Sequence, residues 1–254
     1  MSLKSLQTVD KLDGVIYVPL NGRTEDGLAI EEYCKERNIT LIEDSAHALG
    51  SQYQDRMCGS LGSMSVFSFT PHKIITMGQG GLVLTDDDSL YEYLLDLKTF
   101  NRSKDKSDWH DGFGLNFKIT DLQSALGLSQ FEKINEFINI KKEMFQFFER
   151  SIKKYNFIDF FEYETPWFVD LICESEKERD SAKAFLGDAN ILTRESYPAL
   201  SKQSFLQNVE KTNLEVSENI SEHILWLPSS TNLTKDQMQE VVDKVTTFCA
   251  TKEF

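Results

Sequence analysis

The chain has 254 residues, 40% hydrophobic and 27% charged, with 13 glycines and 5 prolines. This composition excludes disordered, collagen-like and mucin-like classes, and at about 150 residues per domain it leaves room for one large domain or a larger and a smaller one. Its 41 acidic against 27 basic residues leave a formal charge of −14, a field that repels phosphate backbones and anionic lipid and argues against nucleic-acid and membrane partners.

An anionic ligand therefore needs a local arrangement of amides and hydroxyls that overrides the global sign. Cys34, Cys58, Cys173 and Cys249 are too widely spaced for CxxC pairs, which removes zinc-ribbon and thioredoxin-type chemistry and predicts reduced, buried thiols and no metal. The start, Met1-Ser2-Leu3-Lys4, has no basic region followed by an apolar run, and no apolar stretch approaches the roughly 20 residues of a membrane span, so a cytoplasmic chain is expected.

The first element is an apolar run from Val15 to Leu20, and a second run begins at Ile39. Between them Leu28, Ile30, Tyr33 and Cys34 recur at helical spacing. This is a βαβ unit whose continuously apolar strands predict a parallel sheet covered by helices on both faces. Further strand-like runs are Met64 to Phe69 and Leu82 to Thr85, the second entered through Gly78-Gln79-Gly80-Gly81; a helix from about Ser89 to Phe100 follows. The polar stretch from Asn101 to Gly114 reads as a loop of a length more often functional than idle.

Thr120-Asp121-Leu122-Gln123 has the pattern of a capping box, and Phe131, Ile134, Ile138, Phe145, Phe148 and Ile152 continue at helical spacing to about Tyr155. One helix of that length predicts a link between two domains, residues 1–135 and residues 136–254. The second comprises the linking helix and a small α+β unit: a strand over Trp167 to Cys173, a helix over Glu176 to Leu186, a strand over Ile191 to Thr193, and a last helix capped by Thr234 with Gln237.

In an open α/β sheet, ligands bind at the carboxyl ends of the strands. Asp44 ends the strand that starts at Ile39, Ser68 lies near the end of the next, and Lys73 follows in the turn before the glycine cluster. A carboxylate, a hydroxyl and an amine on one sheet edge suit a cofactor carrying a pyridinium, a phosphate and an aldehyde, which is pyridoxal 5'-phosphate. Each residue alone also has an ordinary reading, Lys73 as a solvated charge and Asp44 as a turn or cap residue. No GxGxxG, GxxxxGK[ST] or GxSxG pattern offers a competing chemistry.

Four ordered blocks carry a resemblance: Leu41 to Gly50 (LIEDSAHALG), Phe67 to Lys73 (FSFTPHK), Gly78 to Gly81 (GQGG) and Asn116 to Gly127 (NFKITDLQSALG). Their order and spacing resemble the DegT/StrS-type sugar aminotransferases, and the later blocks Thr193 to Pro198 and Leu225 to Pro228 resemble the same family's small domain. The resemblance implies the aspartate-aminotransferase-like fold of pyridoxal-phosphate enzymes of fold type I, with residues 1–135 as the remaining part of the cofactor-binding large domain. It implies Lys73 as the Schiff-base lysine and Asp44 as the partner of the pyridine nitrogen. His47 would lie near the ring, Ser68 would donate to the phosphate, and Asn116 would reach the phosphate of a neighbouring subunit's cofactor.

A homodimer with composite sites follows from that last role. The implied reaction moves an amino group, with glutamate as donor, onto a keto-sugar attached to a nucleotide, in the biosynthesis of polysaccharides. The family has on the order of a hundred further residues ahead of the strand at Val15, including a loop that binds the cofactor phosphate and an aromatic residue that stacks on the ring. The chain thus resembles the C-terminal two thirds of a subunit. Two alternatives stay open: the related sugar dehydratases, in which histidine replaces the lysine and for which His72 beside Lys73 leaves a one-residue ambiguity, and a non-catalytic fragment or interaction module of the same fold.

Overall fold

The computed structural model describes residues 1–251. They divide into two compact units, one of Met1 with Lys11–Asn135 and the other of Ser2–Asp10 with the described residues from Glu136 onward.

In the first unit, strands β1 (Gly14–Tyr17), β2 (Thr40–Asp44), β3 (Met64–Ser68) and β4 (Gly81–Leu84) pair in that order, and helix α1 (Gly27–Glu36) crosses from β1 to β2. β1, β2 and β3 are parallel, with Val15 opposite Leu41 and Asp44 opposite Val66, whereas β4 returns antiparallel to β3. The sheet is therefore mostly parallel. β1 stops at Tyr17 instead of running to Leu20, because Pro19 has no N–H for the ladder and Leu20–Gly22 close a tight turn.

The expectation of cover on both faces is not met within this unit. Val15, Tyr17, Leu41, Glu43, Ser65 and Phe67 alternate onto a buried face, while Ile16 on the other face is 59% exposed and β4 is exposed along its whole length.

Below the buried face, a carboxylate organises the connection from β2 to β3. Glu43 is fully buried; its Oε1 accepts from the hydroxyls of Ser45 and Tyr53 (2.9 Å) and from the amide of Gly59 (2.7 Å), and its Oε2 accepts from the amide of Leu61 (2.9 Å). A short hairpin, Gln52–Tyr53 with Arg56–Met57, is tied to α1 by Arg56, whose guanidinium reaches both oxygens of the buried Glu31 at 2.7 and 3.3 Å. Burial opposes the charge on Glu31, but Arg56, Lys35 and the amide of Gly62 prevail and hold its carboxyl down to about 2. Gly62 has φ +71° and lies so close to β2 that a Cβ there would sit 2.2 Å from the carbonyl oxygen of Leu41, so only glycine lets β3 start in register.

Helix α2 (Asp88–Lys98) is capped by Asp87, which accepts from the amide of Leu90 at 2.9 Å. Helix α3 (Asp121–Phe131) opens on the expected capping box of Thr120 and Gln123. The single helix expected to run on to Tyr155 is instead two, α3 and α4 (Ile134–Ser151). At the break Lys133 donates to the carbonyl of Gln130, three residues back, a tighter turn that keeps the apolar residues near their helical phase.

In the second unit, β5 (Val169–Ile172) and β6 (Ile224–Leu227) form the centre of an antiparallel sheet flanked by Asn156–Phe157 and Arg194–Glu195. Helices α4, α5 (Glu176–Asp188) and α6 (Lys235–Ala250) supply Phe148, Leu186, Val241 and Val245 to a core with Leu171 and Leu225. α6 starts at the expected capping box of Thr234 and Gln237. The strand expected over Ile191 to Thr193 forms one step later, because Ile191 is packed into that core and Arg194 is the residue that pairs with Trp226. All four cysteines are buried, and none is in a disulfide. Among the described residues no helix is long and apolar enough to cross a membrane.

Glu43→Gln keeps the shape of the side chain but turns one acceptor into a donor facing protein donors. It should lower the stability read from the urea midpoint by about 2–4 kcal/mol. A loss under about 1 kcal/mol would contradict the role of Glu43 as the organiser of residues 45–61.

Candidate active site

Asp44 is the last residue of β2 and Ser68 the last of β3. Because the two strands are parallel, both side chains stand at the same edge of the sheet. The turn after β3 is closed by Phe69, whose amide donates to the carbonyl of Gly80 (2.9 Å) and whose carbonyl accepts from the amide of Met77 (3.0 Å) and the hydroxyl of Thr76 (3.1 Å). Ile74, Ile75 and Met77 are buried and fix the turn from within. Lys73 sits in it with its amide donating to the carbonyl of Thr70 at 3.1 Å, so its backbone is held on both sides.

The charges at this edge interact. Lys73 is half-buried, and burial lowers its amine to about 8, against the pull of the Asp44 carboxylate, which favours the ammonium. His47, three residues beyond Asp44, is lowered to about 3, by burial first and by the charge of Lys73 second, so its ring is neutral at physiological pH. The structure thus brings Asp44, His47 and Lys73 within electrostatic reach of one another. Asp44 accepts from the amide of Ala46 through Oδ1 (3.1 Å), and among the described residues its Oδ2 accepts no hydrogen bond. Ser68 Oγ lies 3.3 Å from the hydroxyl oxygen of Thr70.

This donor and acceptor set fits pyridoxal phosphate. An open carboxylate oxygen suits the N–H of a pyridinium, an amine with a neutral form accessible near neutrality suits an aldehyde, and two adjacent hydroxyls suit a phosphate. Asn116 stands apart from this group: it is exposed and bridged to Thr99, and no hydrogen bond or ion pair joins it to Asp44, Ser68 or Lys73 among the described residues. Sequence reading missed two residues. Thr70 falls inside a quoted block, and its hydroxyl beside that of Ser68 was a legible signal. Glu43, a carboxylate inside an apolar strand next to Asp44, was legible as an oddity but not as a hub, since its partners lie up to 18 residues away.

Comparison with known proteins identifies the family of the chain. Residues 7–246 match the model of the DegT/DnrJ/EryC1/StrS aminotransferase family. The chain is 30% identical over 249 residues to the GDP-perosamine synthase of Escherichia coli O157:H7, covering 96% of this chain and 67% of that one. It is 27% identical over 258 residues to a Helicobacter pylori UDP-4-amino-4,6-dideoxy-N-acetyl-beta-L-altrosamine transaminase, covering 93% and 66%. The solved structure of the aminotransferase TlmJ from Streptoalloteichus hindustanus superposes with a TM-score of 0.88 at 25% identity, over 97% of this chain and 68% of that one. The chain thus spans about two thirds of the length of the curated relatives it matches. On the strength of the family match across nearly its whole length, and of a sheet edge that presents an amine, a carboxylate and hydroxyls, the chain belongs to the DegT/DnrJ/EryC1/StrS aminotransferase family, whose members share fold type I and pyridoxal phosphate as cofactor.

Proposed function

We propose that the whole protein moves an amino group, with glutamate as the donor, onto the keto group of a nucleotide-linked sugar in the cytoplasm. The observation that carries the reading is Lys73, an amine lowered to about 8 by burial and standing beside Asp44 at the ligand edge of the sheet. The relatives named for GDP-linked and UDP-linked sugars support the substrate class. Bound at this edge, pyridoxal phosphate supplies an aldehyde that takes up amino groups and a pyridinium that withdraws electrons from the carbon losing its proton.

The chain's own residues do the rest. Lys73 would hold the aldehyde through its amine, and once the amino group of an incoming donor has displaced it, the freed neutral amine would take a proton and return it at the neighbouring position. The Oδ2 of Asp44 would hold a proton on the ring nitrogen. Ser68 and Thr70 would donate their hydroxyls to the phosphate, and neutral His47 would lie near the ring without adding a charge to it. Residues 1–135 act as the cofactor domain and residues 136–254 as the linking helix and small domain. Asn116, exposed at the base of a loop, reaches the phosphate in a second copy, which makes the working unit a homodimer with composite sites. The dehydratase alternative needs a histidine at the lysine's place; His72 is exposed whereas Lys73 is half-buried and electrostatically coupled to Asp44, which favours the lysine.

Incubating the chain with pyridoxal phosphate, reducing with borohydride and mapping peptides should place a pyridoxyl group on Lys73. Label spread over exposed lysines with none on Lys73 would overturn the assignment. In the whole protein Lys73→Ala should lower kcat by at least about 10²-fold.

The pH dependence of Lys73 provides a second check that needs no turnover. Pulse acylation of the free chain, followed residue by residue, should show Lys73 reacting with a midpoint near 8, about two units below an ordinary lysine. Because the Asp44 carboxylate favours the charged amine, Asp44→Asn should move the midpoint lower still. A midpoint that stays at an ordinary lysine value, or that rises in Asp44→Asn, would contradict the electrostatic account.

A further inference from the structure

The turn that carries Lys73 leaves β3 at Ser68 and returns to β4 at Gly81. Its returning leg starts at Met77 and passes through Gly78, whose φ of +75° suits glycine. Thr76 ties this leg from within, its Oγ1 donating to the carbonyl of Phe69 and accepting from the amide of Gly78 at 2.9 Å. Helix α3 braces the same leg from outside. The Nε2 of Gln123 donates to the carbonyl of Gln79 at 3.0 Å, and one helical turn further along Gly127 meets the side chain of Met77. A Cβ at Gly127 would stand 2.7 Å from Met77 Cγ, so glycine there is what lets the helix come so near. Gly127 is also the one buried residue of α3.

Gln123 does two things at once. Its Oε1 accepts from the amide of Thr120 (2.9 Å) and from the Thr120 hydroxyl (3.0 Å), which completes the capping box of α3. A backbone N–H can only donate and a carbonyl can only accept, so the two partners assign the ends of the side-chain amide: Oε1 faces Thr120 and Nε2 faces Gln79. Glutamate at this position would close the box equally well, but it has nothing to donate to Gln79. The capping box of α6 separates the two tasks. There Gln237 Oε1 accepts from the amide of Thr234 at 2.9 Å, and among the described residues its Nε2 donates no hydrogen bond. The cap alone therefore does not account for the bond from Gln123 to Gln79.

We propose that Gln123 is a positioning residue for Lys73, acting through the carbonyl of Gln79 on the turn that holds the lysine. The connection is short. Gln79 adjoins Gly80, whose carbonyl accepts from the amide of Phe69, and the carbonyl of Phe69 accepts in turn from Met77, beyond Lys73. Ile74 and Ile75, next to Lys73, are buried, so a shift of the returning leg passes to the lysine through close packing. A turn released from α3 opens toward water, and an amine whose state is set by burial then moves back toward its ordinary behaviour. This role rests on Lys73 being the lysine assigned above, and it adds a residue of α3 that touches neither the lysine nor Asp44.

The acylation midpoint of Lys73, followed in the unaltered chain and in two uncharged variants, tests this. Gln123→Met removes the bond to Gln79 and part of the cap together. Thr120→Ala weakens the same cap but keeps the Thr120 amide that orients Gln123, so the bond to Gln79 remains. Gln123→Met should raise the midpoint by at least about half a unit toward that of an ordinary lysine, whereas Thr120→Ala should leave it in place although the helix start is weakened in both. A midpoint unchanged or lowered in Gln123→Met, or raised as much in Thr120→Ala, would overturn the positioning role and leave the assignment of Lys73 standing. A midpoint that is already ordinary in the unaltered chain would overturn both.

Discussion

A carboxylate that water cannot reach must have its oxygens satisfied by the protein, and at Glu43 four donors meet that demand. The donors come from residues 45, 53, 59 and 61, so one side chain determines the course of most of the chain between β2 and β3. Strand alternation then does the rest: with Glu43 committed to the buried face, Asp44 is turned the other way, at the end of a parallel strand where ligands are bound. The start of β3, and with it the positions of Ser68 and Lys73, depends on the same connection, pinned once more where Gly62 passes against the carbonyl of Leu41.

What stands on that edge works by local electrostatics in a molecule whose overall field opposes it. Burial depresses the amine of Lys73, Asp44 pulls the other way, and Lys73 in turn helps keep His47 neutral. The result is a group of titratable residues whose states at neutral pH are set by their neighbours, the usual mark of a site where protons are moved.

The parts of this arrangement that were legible in the sequence are those with local causes. Thr120 with Gln123 and Thr234 with Gln237 announce helix starts because a capping box is complete within four residues. Asp44, Ser68 and Lys73 could be picked out because strand ends follow from short apolar runs, and ligand edges follow from strand ends. The break at Lys133 was hidden because the apolar residues keep almost the same phase on both sides of it. The bond between Gln123 and Gln79 was hidden because the two lie 44 residues apart.

The account stands or falls on whether the edge formed by β2 and β3 holds pyridoxal phosphate in the stated orientation. A crystal structure of the chain grown with pyridoxal phosphate tests this most directly. It should show density continuous from Lys73 Nζ to the cofactor, with Asp44 Oδ2 about 2.7–2.9 Å from the ring nitrogen. A cofactor joined to a different lysine, or a ring nitrogen turned away from Asp44, would contradict it.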